Sequence, residues 1–135
     1  MFLQPRKFKH KKVKKGKLTK LDFRSNKLKF GTIGLKVTES GIINSRQLEA
    51  CRQAISRKIK RRGKMWLRIF PDLPISTKPT ESRMGKGKGS LSHWGSRVSS
   101  GRVIFELCGI SDLKIALEAL KSGGAKLPLK TKPFF

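Results

Sequence analysis

The most distinctive chemistry in this sequence lies in a short glycine–lysine segment, Arg83-Met84-Gly85-Lys86-Gly87-Lys88-Gly89. Alternating glycines let a backbone approach a partner closely and adopt φ values that other residues avoid. The two lysines, and the arginine before them, place positive charge on that exposed backbone. The segment therefore predicts contact with phosphate groups, and its spacing decides which phosphate ligands fit.

The spacing excludes the two common nucleotide-binding motifs. A P-loop reads G-x-x-x-x-G-K-[ST], but Ser82 replaces its first glycine and Gly89 stands where Ser or Thr is required. A dinucleotide fingerprint reads G-x-G-x-x-G after a buried strand, whereas this segment has other spacing and proline-rich flanks. A flexible linker that binds nothing is the remaining alternative, although linkers favour serine or uncharged residues over alternating lysines.

The net charge points to a large polyanionic partner. The chain has 135 residues, with 33 Lys and Arg against 8 Asp and Glu, which leaves a formal charge of +25. Such a chain repels itself unless an anion neutralises it, and a nucleic-acid backbone releases counterions when it does so. An anionic membrane is the weaker alternative, because neither a basic amphipathic helix nor a lipid anchor is evident. No membrane partner is expected.

The basic charge is densest in residues 1–27, a segment we call the arm. Its composition predicts disorder in isolation and ordering on phosphate, since many like charges stand close together with few apolar residues to bury. Its cations are Arg6, Lys7, Lys9, Lys11, Lys12, Lys14, Lys15, Lys17 and Lys20.

Residues 28–135 are predicted to form a single domain that begins with two strands and a helix. The first strand spans Leu28 to Val37, with a bulge or close backbone approach at its glycines, and Ile42-Ile43 form the second. The helix begins at Asn44, with Gln47 completing a capping box, and stops at Gly63. Its predicted core stripe is Leu48, Cys51, Ile55 and Ile59, and its polar face carries Arg46, Gln53, Arg57 and Lys60.

Further along, alternation predicts a strand over residues 65–70, with Trp66 and Phe70 available for the core or for stacking on bases. A long loop at 76–91 follows, and residues 93–98 and 102–107 are predicted to pair as a hairpin. A second helix is expected from an N-cap at Ser111 to Gly123-Gly124, and residues 126–135 as an edge or tail. The residues of this second helix that are predicted to be buried are Leu113, Ala116, Leu117 and Leu120. The expected fold class is α+β, a mainly antiparallel sheet with two helices on one face.

No set of residues in the sequence indicates a catalytic site or a metal site. Cys51 and Cys108 are far apart and fall on apolar stretches, where a buried free thiol is the usual state. Together with His10 and His93 they do not match zinc-site spacing. Neither histidine has a nearby nucleophile and acidic partner, so an enzyme would need an unseen site around His93 or Glu106. We expect no enzyme activity, no metal and no cofactor.

Two stretches resemble the signatures of one family. Lys64-Met65-Trp66-Leu67-Arg68-Ile69-Phe70-Pro71-Asp72-Leu73-Pro74, followed by residues 83–89, looks like the bacterial-type ribosomal protein sixteen of the large subunit. The similarity extends over nearly the whole chain, from Leu3-Gln4-Pro5-Arg6 to Ala125-Lys126-Leu127-Pro128.

That resemblance implies an α+β structural component of the large subunit that contacts ribosomal RNA and helps position aminoacyl-tRNA near the A site and peptidyl-transferase centre. The loop from Arg83 to Gly89 would face the tRNA, and neighbouring ribosomal proteins would be partners, with no homo-oligomer. The implied rRNA contacts are Arg6, Lys7, Lys9, Lys11, Lys12, Lys14, Lys15, Lys17, Arg46, Arg57, Lys60 and Arg61. The lysine-rich arm favours a mitochondrion over a bacterial cytoplasm or chloroplast. The alternative is a non-ribosomal cationic RNA-binding protein or RNA chaperone.

Overall fold

The computed structural model of the protein describes residues 3–16, 18 and 20–135. Lys17, one of the expected arm contacts, lies outside the described residues. The elements in chain order are β1 Ile33–Val37, β2 Gly41–Asn44, α1 Ser45–Lys58, β3 Lys64–Leu67, β4 Leu73–Thr77, β5 Ser90–Val98, β6 Val103–Cys108, α2 Leu113–Gly124 and β7 Thr131–Phe134.

The strands form two antiparallel sheets, where the sequence led us to expect one. The first sheet has the order β3-β6-β1-β7 and the second the order β2-β5-β4. The α+β class is confirmed, and β7 lies at a sheet edge as expected for the C-terminal segment. Both helices contribute to the main core: α1 supplies Leu48, Cys51 and Ile55, and α2 supplies Ala116 and Leu120.

The predicted hairpin between residues 93–98 and 102–107 is wrong. Strand β5 pairs with β2 on one side and β4 on the other, while β6 pairs with β1 and β3. Both edges of each strand are therefore occupied, and the turn at Ser99–Gly101 passes the chain from one sheet to the other. Gly101 takes a φ of 89° there and donates its N–H to Val37 O at 2.7 Å. A short Gly-containing connection is equally compatible with this sheet-to-sheet corner.

The predicted loop at 76–91 is shortened at both ends by strands. Residues 73–77 form β4, although Pro74 lies within it, and β5 already begins at Ser90. Proline is tolerated because β4 is an edge strand, where its missing N–H costs no ladder hydrogen bond. The loop therefore spans residues 78–89. Upstream, the strand predicted over residues 65–70 forms only as far as Leu67.

The start of α1 follows the predicted capping box. Asn44 is the N-cap residue in an extended conformation, and its backbone N–H donates to Gln47 Oε1 at 2.9 Å. The predicted core stripe is confirmed, because Leu48, Cys51, Ile55 and Ile59 are all buried. Burial also raises the pKa of the Cys51 thiol to about 12, so it stays protonated and unreactive. Both cysteines are free, although Cys108 is only half-buried.

The end of α1 lies earlier than predicted. The helix stops at Lys58, and Lys60 and Arg61 both adopt left-handed φ values, 52° and 61°, ahead of Gly63. Lys60 N donates to Arg57 O at 3.1 Å and Arg61 N to Ser56 O at 3.0 Å. This is the Schellman pattern of hydrogen bonds, with lysine at the position that glycine usually occupies. Gly63, which predicted the end of the helix, lies three residues after this left-handed lysine.

Glycine at position 60 should remove the strain of a left-handed lysine. We expect Lys60→Gly to raise the free energy of unfolding by about 0.5–1 kcal/mol relative to Lys60→Ala, because alanine keeps the Cβ that disfavours this conformation. Both variants lose the same charge, so urea denaturation of the pair isolates the backbone effect. Equal stabilities would show that the left-handed turn is not strained.

Helix α2 begins one residue later than predicted and buries Ala116 and Leu120 as predicted, with Leu117 partly buried. Its N-cap is Asp112, whose Oδ1 accepts from Lys114 N and Ile115 N, so Ser111 is not the cap. Leu113 is 62% exposed, contrary to prediction, because it falls at the first helical position. The predicted end at Gly124 is confirmed, and Gly123 lies so close to α1 that an added Cβ would stand 2.5 Å from Ile55 Cγ1.

Candidate nucleic-acid interface

The arm runs along the body of the protein without a helix or strand in any of its described residues. Leu3 is buried in the core, and the Phe8 ring packs edge-on against Trp94 with centroids 4.9 Å apart. Between and beyond these contacts the cations stay exposed. They are Arg6, Lys7, Lys9, Lys11, Lys12, Lys14, Lys15 and Lys20. Apolar side chains thus attach the first part of the arm, while its cations remain exposed to solvent.

Helix α1 presents its predicted cations in two separate places. Arg57, Lys60 and Arg61 line one shallow groove together with Arg52, Gln53 and Ser56. Arg46 lies in a different depression, which also contains Gln4 of the arm and His93 of β5. The first cluster depends on the left-handed turn after α1, which carries Lys60 and Arg61 back beside the helix.

Arg52 lies in the same groove but already forms an ion pair with Glu49. Its guanidinium binds Glu49 through two hydrogen bonds of 2.9 and 2.6 Å, and these hold the pKa of Glu49 below its ordinary value. Arg57, Lys60 and Arg61 therefore carry the uncompensated charge of this cluster.

The glycine–lysine loop extends into solvent. Residues from Arg83 to Lys88 are exposed, and Met84 is fully so. Gly85, Lys86 and Gly87 take φ values of 94°, 53° and 82°, and no atom lies within 4 Å of a Cβ built on either glycine. Two of the three glycines therefore have the predicted backbone freedom and the space for a partner.

Gly89 is different, because it packs against its own chain. A Cβ at this position would stand 2.4 Å from Thr77 O, at the point where β4 and β5 meet. Its role is to close the base of the loop, which the alternating pattern could not distinguish from the role of the other two glycines.

The arm and the loop contact each other. Lys12 Nζ donates to Lys88 O at 2.7 Å, and Lys88 Nζ donates to Val13 O at 2.6 Å. The carbonyl of Lys14 accepts from the Arg97 guanidinium of β5. Lys88 is therefore held on the arm, whereas the side chains of Arg83 and Lys86 make no hydrogen bond or ion pair with any residue that the structure describes.

A buried ion pair lies on the outer side of β3 and β6. Glu106 is 0% exposed and accepts from the backbone N–H groups of Lys29, Phe30 and Gly31 and from the Arg68 guanidinium. Burial alone raises the pKa of Glu106, but these four donors outweigh it and the net shift is downward. No local sequence pattern predicts this pairing, because the partners are 38 residues apart.

Other kinds of site find little support. No group of three or more His, Cys, Asp or Glu residues is placed to hold a metal within the described part of the chain. Across residues 3–16, 18 and 20–135, no helix is long and apolar enough to cross a membrane.

Comparison with known proteins identifies the family of this chain. The family model described as Ribosomal protein L16p/L10e matches residues 5–134. The chain belongs to the L16p/L10e family. Similar L16p/L10e proteins include the large ribosomal subunit protein uL16 of Bartonella bacilliformis, 51% identical over 96% of this chain and 94% of its own length. That of Halorhodospira halophila is 50% identical over 96% and 93%. That of Bartonella henselae is 51% identical over 96% and 94%.

Membership of the L16p/L10e family makes the protein a structural constituent of the large ribosomal subunit. The expected family is confirmed, and ribosomal RNA and other ribosomal proteins are the implied partners. L16p/L10e proteins are structural proteins of the ribosome. The three relatives are all from bacteria, which does not favour the mitochondrial location expected from the lysine-rich arm.

Proposed function

We propose that this protein binds large-subunit ribosomal RNA through its arm and the α1 cation cluster, and that its exposed loop helps position aminoacyl-tRNA near the A site and peptidyl-transferase centre. In this proposal residues 1–27 are an rRNA-binding arm on a single domain of residues 28–135. Arg83 and Lys86 contact phosphates, and Gly85 and Gly87 provide space for close approach.

The observation that carries the proposal is the imbalance of charge. Five of the 8 acidic side chains are already paired within the described residues, in the pairs Glu49–Arg52, Glu118–Lys58, Glu106–Arg68, Asp22–Arg102 and Glu39–Lys130. A further one, Asp112, caps α2. With 33 basic residues in the chain, most cations have no acidic partner and need external phosphates to neutralise them.

The division of labour between arm and loop follows from their different attachment. The arm lies on the body and exposes a row of cations, which suits the extended phosphate backbone of folded RNA. The loop is joined to the arm at Lys88, but open space surrounds Gly85 and Gly87, so a ligand that arrives later can approach the backbone there. A transient ligand such as tRNA fits that geometry.

Removing the two unpaired loop cations tests the tRNA part of the proposal. We expect Arg83→Ala with Lys86→Ala to slow aminoacyl-tRNA accommodation about tenfold, through loss of charge-assisted phosphate contacts. Incorporation into large subunits should change little. Accommodation is measured on purified ribosomes that carry the variant, and incorporation by co-sedimentation.

The matched control removes two exposed lysines from α2, Lys114→Ala with Lys121→Ala. This control should leave accommodation unchanged despite the same loss of charge. Equal loss of incorporation and accommodation in the loop variant would make the loop an assembly anchor and contradict the proposed tRNA role.

A further inference from the structure

An aromatic surface lies at the β3 edge of the four-stranded sheet, outside both the arm and the loop. The rings of Phe30 and Trp66 stack with centroids 6.2 Å apart and planes inclined by 22°. Lys64 Nζ lies 5.1 Å from the Trp66 ring centre, and the Arg68 guanidinium carbon lies 5.3 Å from that of Phe30. We call these four residues the aromatic platform.

Phe30 stays open to solvent although it has two neighbours in the platform. It is 53% exposed, while Trp66 beneath it is only half-buried. A phenylalanine whose purpose was to complete the core would be covered. This ring instead presents a large apolar area near cations, since Lys29, the preceding residue, and Lys64, which lies over the Trp66 ring, are both exposed.

The buried Glu106 carboxylate anchors the backbone on which the Phe30 ring is carried. Phe30 N donates to Glu106 Oε2 at 2.7 Å and Gly31 N donates to the same oxygen at 2.8 Å. Gly31 is pressed against β6, because a Cβ there would stand 2.7 Å from Leu107 O. The backbone of Phe30 is therefore anchored and its ring stacks on Trp66, so less conformational entropy remains to be lost when a ligand stacks on it.

We propose that the aromatic platform is a stacking site for an unpaired nucleobase of RNA. A flat aromatic face ringed by cations matches a nucleotide, whose base stacks on the ring while its phosphate meets Lys29 or Lys64. An apolar protein partner would instead leave these cations buried and unpaired. The inference rests on the proposed binding of ribosomal RNA and adds recognition of a base to contacts that otherwise reach only phosphates.

The test compares two RNA strands of equal length in binding to the full-length protein. One is single-stranded oligoadenylate, and the other is its abasic counterpart, which keeps the ribose and phosphates but has no bases. At equal ionic strength we expect the base-bearing strand to bind about tenfold more tightly, as one stacked base should provide. Phe30→Leu should bring the ratio close to one and leave the affinity for the abasic strand unchanged.

Two further variants make the result specific. Phe135→Leu removes another exposed ring, 87% open to solvent and outside the arm, the loop and the platform, and should keep the wild-type ratio. Phe30→Tyr keeps the aromatic face, so it should also keep the wild-type ratio of the two affinities. A ratio that is lost in Phe30→Leu and kept in Phe30→Tyr therefore reports on stacking.

A wild-type ratio near one, or an equal loss of both affinities in Phe30→Leu, would overturn the proposal that the platform stacks a nucleobase. Failure of the proposed RNA binding looks different, because the affinity for the abasic strand would itself be absent.

Discussion

Glu106→Ala is expected to lower the free energy of unfolding by about 3–5 kcal/mol, because removing one member of a buried ion pair leaves the other charge unpaired. The loss extends beyond Arg68, since the N–H groups of Phe30 and Gly31 would also lose their acceptor. A domain of this size is typically stable by about 5–15 kcal/mol, so the variant would be close to unfolding. Urea denaturation followed by circular dichroism measures the change.

A second glutamate–arginine pair provides the control. Glu49 and Arg52 are also joined by two hydrogen bonds between guanidinium and carboxylate, but both remain partly open to solvent on α1. Glu49→Ala should cost about 1 kcal/mol or less, as exposed pairs do. Similar losses from the two substitutions would show that burial of Glu106 does not set the size of the effect.

The Glu106 carboxylate should also make the free energy of unfolding depend on pH in the acid range. Its pKa in the folded protein lies below the ordinary value of 4.5, so its contribution is fully present above that value and is lost as the pH falls through the folded pKa. Denaturation curves taken from neutral pH to about pH 3 should therefore lose less stability in Glu106→Gln than in the wild type. A parallel decline in both proteins would assign the acid sensitivity to other carboxyl groups.

Neutralising part of the arm should weaken binding to ribosomal RNA in a strongly salt-dependent way. Lys9, Lys11 and Lys15 are exposed, and their side chains are not among the arm's contacts with the loop. If each reaches one phosphate, replacing all three with alanine should reduce the slope of log affinity against log salt concentration by about 2–3. Filter binding to a large-subunit rRNA fragment over a range of salt concentrations measures it.

The matched control removes three lysines outside the arm, in and just after α2: Lys114→Ala with Lys121→Ala and Lys126→Ala. These lysines are also exposed, and their loss changes the net charge by the same amount. The slope should then fall by less than about 1, since long-range attraction is screened within roughly 8–10 Å. Equal slopes for the two variants would mean that bulk charge, and not the arm, determines affinity.

Local signals in the sequence were sufficient for much of the fold. The capping box at Asn44 and Gln47, the core stripe of α1 and the end of α2 each depend on residues within a few positions of one another, where spacing has a direct structural meaning. The basic arm and the glycine–lysine loop were also visible, because composition alone marks them.

The features that were missed depend on distant parts of the chain. The turn after Val98 has the composition of a hairpin, and only the full set of strand partners shows that it joins two sheets. The Arg68–Glu106 pair and the position of Phe30 over Trp66 likewise require β3, β6 and the segment before β1 to meet. Left-handed Lys60 was missed because lysine is rarely found in that conformation.

The paired hydrogen bonds between arm and loop have a consequence for the order of ribosome assembly. Lys12 and Lys88 each donate to the other segment's backbone, so whichever segment is immobilised first reduces the conformational entropy that the second has left to lose. If RNA binds the arm and tRNA binds the loop, as proposed, RNA that captures the arm early would order the loop before tRNA arrives. A subunit whose arm-binding RNA is still unfolded would present a looser loop, which couples the maturation of one region to the readiness of another.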